Sequence, residues 1–215
     1  MNLQTHFLLV RHGETEANIN HKLAGWLQTD LTELGRKQAT ALGKELTAER
    51  IDRAFSSDLK RAADTAELCL AGRPDVPLEQ TPDLREWGLG ELEGHDIPSL
   101  LFPGSEIVAQ WEDQNLDLAF PGGESRFQLR ARVFGFLKRC AQKHPGERIL
   151  IVTHGAALQQ ILISVAGTPP AGCRTSLPGN TSLSRILCDH TLRCWRLISW
   201  NDTHHLRGVG EHSTF

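Results

Sequence analysis

Two short apolar runs, Phe7–Val10 and Ile149–Val152, each break off at a histidine followed by glycine, as Arg11-His12-Gly13 and Thr153-His154-Gly155. An apolar run of this length, without alternation, reads as a strand buried on both faces, the pattern of a parallel sheet covered by helices. Such sheets carry their sites in the loops leaving the carboxyl ends of the strands. If both runs belong to one parallel sheet, His12 and His154 arrive at the same edge.

The segments between these runs support that architecture. From Leu31, the residues Leu34, Gln38, Ala41, Leu42, Glu45 and Leu46 predict a helix with Thr32 as its N-cap. Ile51–Phe55 predicts a second strand. Ser56-Ser57-Asp58 then offers caps for a helix in which Leu59, Ala62, Ala63, Ala66 and Leu70 recur at helical spacing, ended by Gly72 and Pro74. Phe127, Ala131, Phe134, Leu137 and Ala141 mark a long amphipathic helix, and Ser182–Cys188 with Leu192–Trp200 reads as a closing hairpin across Asp189-His190-Thr191. The expected fold is α/β, a three-layer α/β/α sandwich with a mostly parallel central sheet. At 215 residues one core suffices, so residues 1–215 are read as a single domain. Between His95 and Gly123 prolines, glycines, acids and aromatics follow no period, and about 95–123 is read as a small lid insertion.

Composition excludes several classes of function. A net charge of −3 provides no field for nucleic acid or anionic lipid, and a mean hydropathy of −0.30 does not fit an integral membrane protein. The expected partner is a small molecule, with a homodimer left open. Five cysteines, an odd number without CxxC spacing, suggest reduced and mostly buried thiols, with neither a disulfide framework nor a zinc site. No secretory pattern precedes Phe7, so a cytoplasmic location is expected.

Arg11-His12-Gly13-Glu14-Thr15 with Asn18 resembles the signature of the phosphoglycerate mutase-like branch of the histidine phosphatase superfamily. The resemblance continues through Gly25-Trp26, Leu31-Thr32-Glu33-Leu34-Gly35, Gln38-Ala39 and Ser56-Ser57-Asp58-Leu59-Lys60-Arg61-Ala62. Beyond these come Thr65-Ala66, Leu84-Arg85-Glu86, Gly90, Glu93-Gly94, Gly122-Gly123-Glu124-Ser125 and Val152-Thr153-His154-Gly155. Chance matches would not keep type, order and spacing over nearly the whole chain.

The resemblance implies a metal-independent phosphatase with no cofactor and a small phosphorylated metabolite as substrate. A phosphate ester repels nucleophiles, so its site needs cations, a nucleophile and an acid for the leaving oxygen. His12 is the residue that becomes phosphorylated, and it must be neutral to attack. Arg11 and Arg61 bind phosphate oxygens, with Arg61 also near a positive helix end. His154 hydrogen-bonds the transferred group, expected as an imidazolium. Glu86 protonates the departing alkoxide and then activates water, which calls for a raised pKa. Asn18, Ala24, Gly25 and Gly155 complete the phosphate and substrate contacts, although Ala24 replaces a Thr or Gln that could touch phosphate in many relatives. His6, His21, His95, His144, His190, His204, His205 and His212 are read as surface or lid residues, and Glu93 as structural.

Two other functions compete. A mutase must hold a second phosphate, yet His95–Gly123 contains no Arg or Lys and carries Glu106, Glu112, Asp113 and Asp117. A non-catalytic phospholigand binder would not need His12 and Glu86 together. Hydrolysis of a monophosphate is therefore the expected activity.

Overall fold

The computed structural model describes residues 3–100, 116–167 and 177–210. Six strands form one sheet in the order β3-β2-β4-β1-β5-β6. They are β1 (Gln4–Arg11), β2 (Arg53–Ser57), β3 (Leu78–Thr81), β4 (Arg148–Thr153), β5 (Leu183–Asp189) and β6 (Cys194–Asp202). The pairs β1–β4, β2–β4 and β2–β3 are parallel, whereas β5 runs antiparallel to both β1 and β6. The sheet is thus mostly parallel, as expected.

The helices are α1 (Glu16–Ile19), α2 (Glu33–Glu45), α3 (Lys60–Leu70), α4 (Ile97–Leu100), α5 (Arg126–Lys143) and α6 (Gly155–Ala166). Alternation along the strands sorts them into two layers. Leu8, Val10, Leu150 and Val152 face Ala39 and Leu42 of α2 and Ala62 and Ala66 of α3. Phe7, Leu9, Ile149 and Ile151 face Leu129, Val133 and Leu137 of α5 and Leu158 and Ile161 of α6. A strand run that is apolar at every position is explained by this double cover, and the α/β/α sandwich follows.

Several local expectations shift. The capping of α2 by Thr32 is as expected, but its buried side is Gly35, Gln38, Ala39 and Leu42, since Gly35 must lie against the loop after β1. The cap of α3 is Leu59, which has no side-chain cap bond. Ser57 Oγ accepts from the Leu59 amide, and Asp58 turns away to pair with Arg85. In α5 the inward stripe is Leu129, Val133, Phe136, Leu137, Cys140 and Ala141, whereas Phe127 is 56% exposed. The hairpin turn lies one or two residues later than expected, between Asp189 and Cys194. His144 is buried, its carbonyl accepting from the Thr5 hydroxyl, and is not a surface residue.

Of the 95–123 segment, Ile97–Leu100 forms α4 and Phe120 is buried, with its ring 6.0 Å from that of Trp87. The acidic and apolar residues between 101 and 115, as well as Cys173 and His212, lie outside the described residues. Cys69 and Cys140 are buried free thiols, and Cys188 and Cys194 are free and partly exposed. Among the described residues no helix is long and apolar enough to cross a membrane.

Candidate active site

Strands β1 and β4 lie side by side in register, Val10 against Val152 and Arg11 against Thr153. The next residue of each chain is a histidine, and the His12 amide donates to the Thr153 carbonyl at 2.9 Å. The rings of His12 and His154 consequently sit 5.1 Å apart, centroid to centroid. Connections leave β1 toward the α2–α3 layer and β4 toward α6 in the opposite layer, which opens a crevice between the two strand ends.

The loop after β1 is held from three sides. His12 Nδ1 lies 2.7 Å from the Gly13 carbonyl, which fixes the proton on Nδ1 and leaves the Nε2 lone pair as the reactive position. The Gly13 amide donates to Thr65 Oγ1, whose hydroxyl in turn donates to the Arg61 carbonyl. Asn180 Nδ2 donates to the His12 carbonyl at 3.0 Å. Gly13 packs backbone to backbone on Gly35, since a Cβ there would stand 2.6 Å from the Gly35 oxygen.

A cavity of about 160 Å³ opens on this loop. It is lined by the polar Arg11, His12, Arg61, Asn18 and Glu86 and by the apolar Ala17, Leu23, Ala24, Leu89 and Ile97. Arg11 is buried and donates to the Pro178 carbonyl at 2.6 Å. Arg61 is also buried and donates to the Gly25 carbonyl at 2.7 Å and the Leu27 carbonyl at 2.9 Å. Among the described residues no carboxylate pairs with Arg61. Burial brings both guanidiniums down to about 10, still charged at neutral pH.

This positive charge acts on the imidazoles. Burial first, then Arg61 and Arg11, push His12 well below its usual 6.5. His154 is likewise pushed well below 6.5, by burial and then by Arg61, His12 and Arg11. For His12 this direction favours the neutral ring that attack on phosphorus requires. For His154 the same burial and positive charge disfavour an imidazolium while no anion lies beside the ring. Neither ring nitrogen of His154 bonds to another described residue.

Glu86 reaches the same space from the loop after a 3-10 turn at Pro82–Leu84. Its carboxyl accepts from the amides of Trp87, Ala156 and Ala157, so it rests on the N-terminus of α6. Asn18 occupies the third position of a capping box on α1. Its Oδ1 accepts from the Thr15 amide, the Thr15 hydroxyl and Asn180 Nδ2, and the residue lines the cavity. Gly25 has φ +47, and an added Cβ would stand 2.1 Å from Glu93 Oε1. Glu93 accepts there from the amides of Trp26 and Leu89 and is structural, as expected.

His12, Arg11, Arg61, Glu86, Asn18, Ala24 and Gly25 all line one cavity, and His154 stands behind it against His12. Gly155 does not line it. Its neighbour Ala156 does, and a Cβ added at Gly155 would stand 3.3 Å from Leu177 Cδ1 and 3.6 Å from Arg11 Cζ. His21 and Lys22, both exposed as surface residues, also line the mouth of the cavity. No sequence spacing marks them, since their placement depends on the 21–23 segment pairing with residues 94–97. Thr65 Oγ1 and Asn180 act on the His12 loop through contacts that only the fold creates.

A profile described as histidine phosphatase superfamily (branch 1) matches residues 7–203. The chain is 36% identical over 209 residues to a metal-independent phosphoserine phosphatase of Arabidopsis thaliana, covering 96% of this chain and 85% of that protein. It is 34% identical over 208 residues to phosphoglycerate mutase-like protein 4 of the same plant, covering 94% of this chain and 87% of that one. The solved structure of a mycobacterial glucosyl-3-phosphoglycerate phosphatase superposes with a TM-score of 0.81 at 27% identity, covering 92% of this chain and 99% of that one. Two histidines on adjacent parallel strand ends, two buried arginines and a profile match that spans the sheet have one common reading, and the chain belongs to the histidine phosphatase superfamily, branch 1.

Proposed function

We propose that the chain hydrolyses small phosphomonoesters by way of a phosphohistidine at His12. One observation carries this reading: an imidazole whose tautomer is set by the Gly13 carbonyl opens onto a cavity lined by two buried guanidiniums and a carboxyl. Arg11, Arg61 and Asn18 Nδ2 take the phosphate oxygens. The Nε2 lone pair of His12 forms a bond to phosphorus as the ester P–O bond breaks, and Glu86 gives its proton to the departing alkoxide. A substrate dianion beside Glu86 favours that proton before the step.

In the second half Glu86 takes a proton from water, the hydroxide attacks phosphorus, and the N–P bond breaks. Inorganic phosphate leaves and His12 is again neutral. His154, itself neutral at rest, hydrogen-bonds the transferring group and gains stability as a proton donor once that group's charge lies beside it. Positive charge from Arg11 and Arg61 fills the role a metal would otherwise take, and the phosphatase relative described as metal-independent supports the same conclusion.

The named phosphatase relatives act on a phosphoserine and a glucosyl-phosphoglycerate, which supports a small metabolite as substrate here. Mutase chemistry is the weaker reading, because residues 95–123 supply no Arg or Lys for a second phosphate. We read residues 1–215 as one domain with 95–123 as its lid, supported by Ile97 lining the cavity. A cytoplasmic protein accords with free cysteines, two of which burial pushes up to about 12.

Rapid quench of enzyme with 32P-labelled monoester tests the reading. Acid-labile label on the wild-type chain, absent from His12→Ala, together with release of inorganic phosphate, is expected. Stable turnover by His12→Ala would overturn it, and so would exchange of phosphoglycerate isomers without net hydrolysis.

A further inference from the structure

Glu86 sits on a loop whose shape is set from outside the cavity. Arg132 of α5 does not line that cavity, yet its guanidinium gathers four backbone carbonyls of the Glu86 loop. Nη1 donates to the carbonyls of Pro82 at 3.2 Å, Asp83 at 3.0 Å and Arg85 at 2.9 Å, and Nη2 donates to that of Glu86 at 3.1 Å. Its ion-pair partner is Glu124, and the two side chains are only 16% and 12% exposed.

Glu124 grips the other side of the same loop. Its Oε1 accepts from the Gly88 amide, its own amide donates to the Gly88 carbonyl, and its carbonyl accepts from Trp87 Nε1. A third contact comes from the phosphate loop: Trp26 Nε1 donates to the Glu86 carbonyl at 2.7 Å, and the Trp26 ring lies against the guanidiniums of Arg85 and Arg132. The Glu86 carbonyl therefore receives two donors, one from α5 and one from the residue after Gly25.

We propose that Arg132, braced by Glu124 and joined by Trp26, is a positioning residue that fixes the backbone of Glu86 so that its carboxyl meets the leaving oxygen. The inference rests on Glu86 being the general acid. Hydrogen bonds that converge on residues 82–88, and not on the apolar core, give the pair this local task. A guanidinium is suited to it, since its planar fork can serve several carbonyl acceptors at once while an ammonium cannot hold them in one plane. A shift of the acid by about 1 Å is enough to cost on the order of 100-fold in rate.

The test compares O-phosphoserine, whose alkoxide needs a proton, with p-nitrophenyl phosphate, whose leaving group does not. In single-turnover phosphorylation of His12, the step that differs between the two esters, Arg132→Met should slow the alkyl ester by about 30-fold and leave the aryl ester within about threefold. Arg132→Lys should fall between, and Trp26→Phe should lose about threefold to tenfold on the alkyl ester only. In a Glu86→Gln background neither change should slow the alkyl ester further, because both act through that carboxyl.

Equal loss on both esters, or losses that add to that of Glu86→Gln, would overturn the proposal. If Arg132→Met fails to fold by circular dichroism, Trp26→Phe decides, since its side chain is 39% exposed and removes one donor only. Glu86→Gln itself separates the two levels: if it slows both esters alike, the general-acid reading fails and this one with it. If it slows the alkyl ester selectively while Arg132→Met and Trp26→Phe do not, the positioning role alone is rejected.

Discussion

The rings of His12 and His154 face each other at 5.1 Å, tilted by 59°, and both are buried among guanidiniums that oppose their protonation. Burial first, and then proximity to Arg61 and Arg11, pushes both rings well below 6.5, and the same arrangement should shape the response to pH.

In the unfolded chain each histidine binds a proton near 6.5, whereas the folded protein holds both pKa values well below that. Below about 6.5 the unfolded state thus binds more protons, so stability rises with pH through the acid range, is complete above about 7, and is lost as pH falls toward the folded values. Thermal melts from pH 7.5 to 5 should show a steeper fall in Tm for the wild type than for the His12→Asn, His154→Asn double variant. Parallel curves would show that the two rings do not drive the effect.

Arg61→Met removes one of the charges that depress both imidazoles and one of the two guanidiniums that line the cavity. Two effects should appear together. NMR titration of the ring protons should show the pKa of His12 and His154 moving up, and kcat/KM for any monoester should drop by about 100-fold or more. An unchanged kcat/KM would remove Arg61 from the phosphate contacts.

Glu86→Gln keeps the shape of the side chain but cannot give or take the proton. Alkyl phosphates should lose about 100-fold to 10,000-fold in kcat, and p-nitrophenyl phosphate much less at the phosphorylation step. Single-turnover measurements on both esters check this, and uniform loss would mean that the carboxyl acts only on charge or shape.

Thr65→Val tests the support of the His12 loop. The Gly13 amide would lose its acceptor inside the protein, at a cost of about 1–3 kcal/mol in stability by urea unfolding. Thr65→Ser, which keeps the hydroxyl, should cost less, and equal destabilisation would place the effect in packing.

EDTA should leave turnover intact and vanadate should inhibit, because Arg11 and Arg61 meet the phosphoryl charge directly. Loss of activity on chelation, restored by magnesium, would contradict the proposed chemistry.

The strongest parts of the fold were legible because one physical signal dominated each. Phe7–Val10 and Ile149–Val152 are apolar at every position, which only a doubly covered strand requires, and their register follows from adjacency. By contrast, β3 is a four-residue edge strand reading Leu-Glu-Gln-Thr, with too little buried surface to leave a pattern. α5 carries two overlapping apolar stripes. The one starting at Phe127 and the one starting at Leu129 share Leu137 and Ala141, and the choice falls to Leu129 because Arg132 must reach the Glu86 loop. The residues proposed for the site stand in the matched motifs, as does Thr65, while His21, Lys22 and Asn180 gain their places from long-range pairing. The depression of the His154 pKa is not legible in the sequence because it depends on burial and then on neighbours 93 and 143 residues away in the chain, Arg61 and Arg11.

The in-register union of β1 and β4 has a consequence for what the chain tolerates. Deleting or inserting one residue in either strand turns every following side chain to the other layer, so the change that would separate the two imidazoles also exchanges the two hydrophobic faces. Length variation can be absorbed in the 190–193 turn, far from the crevice, but not in these twelve or so positions. Catalytic geometry and correct sandwich assembly are in this sense one selectable property.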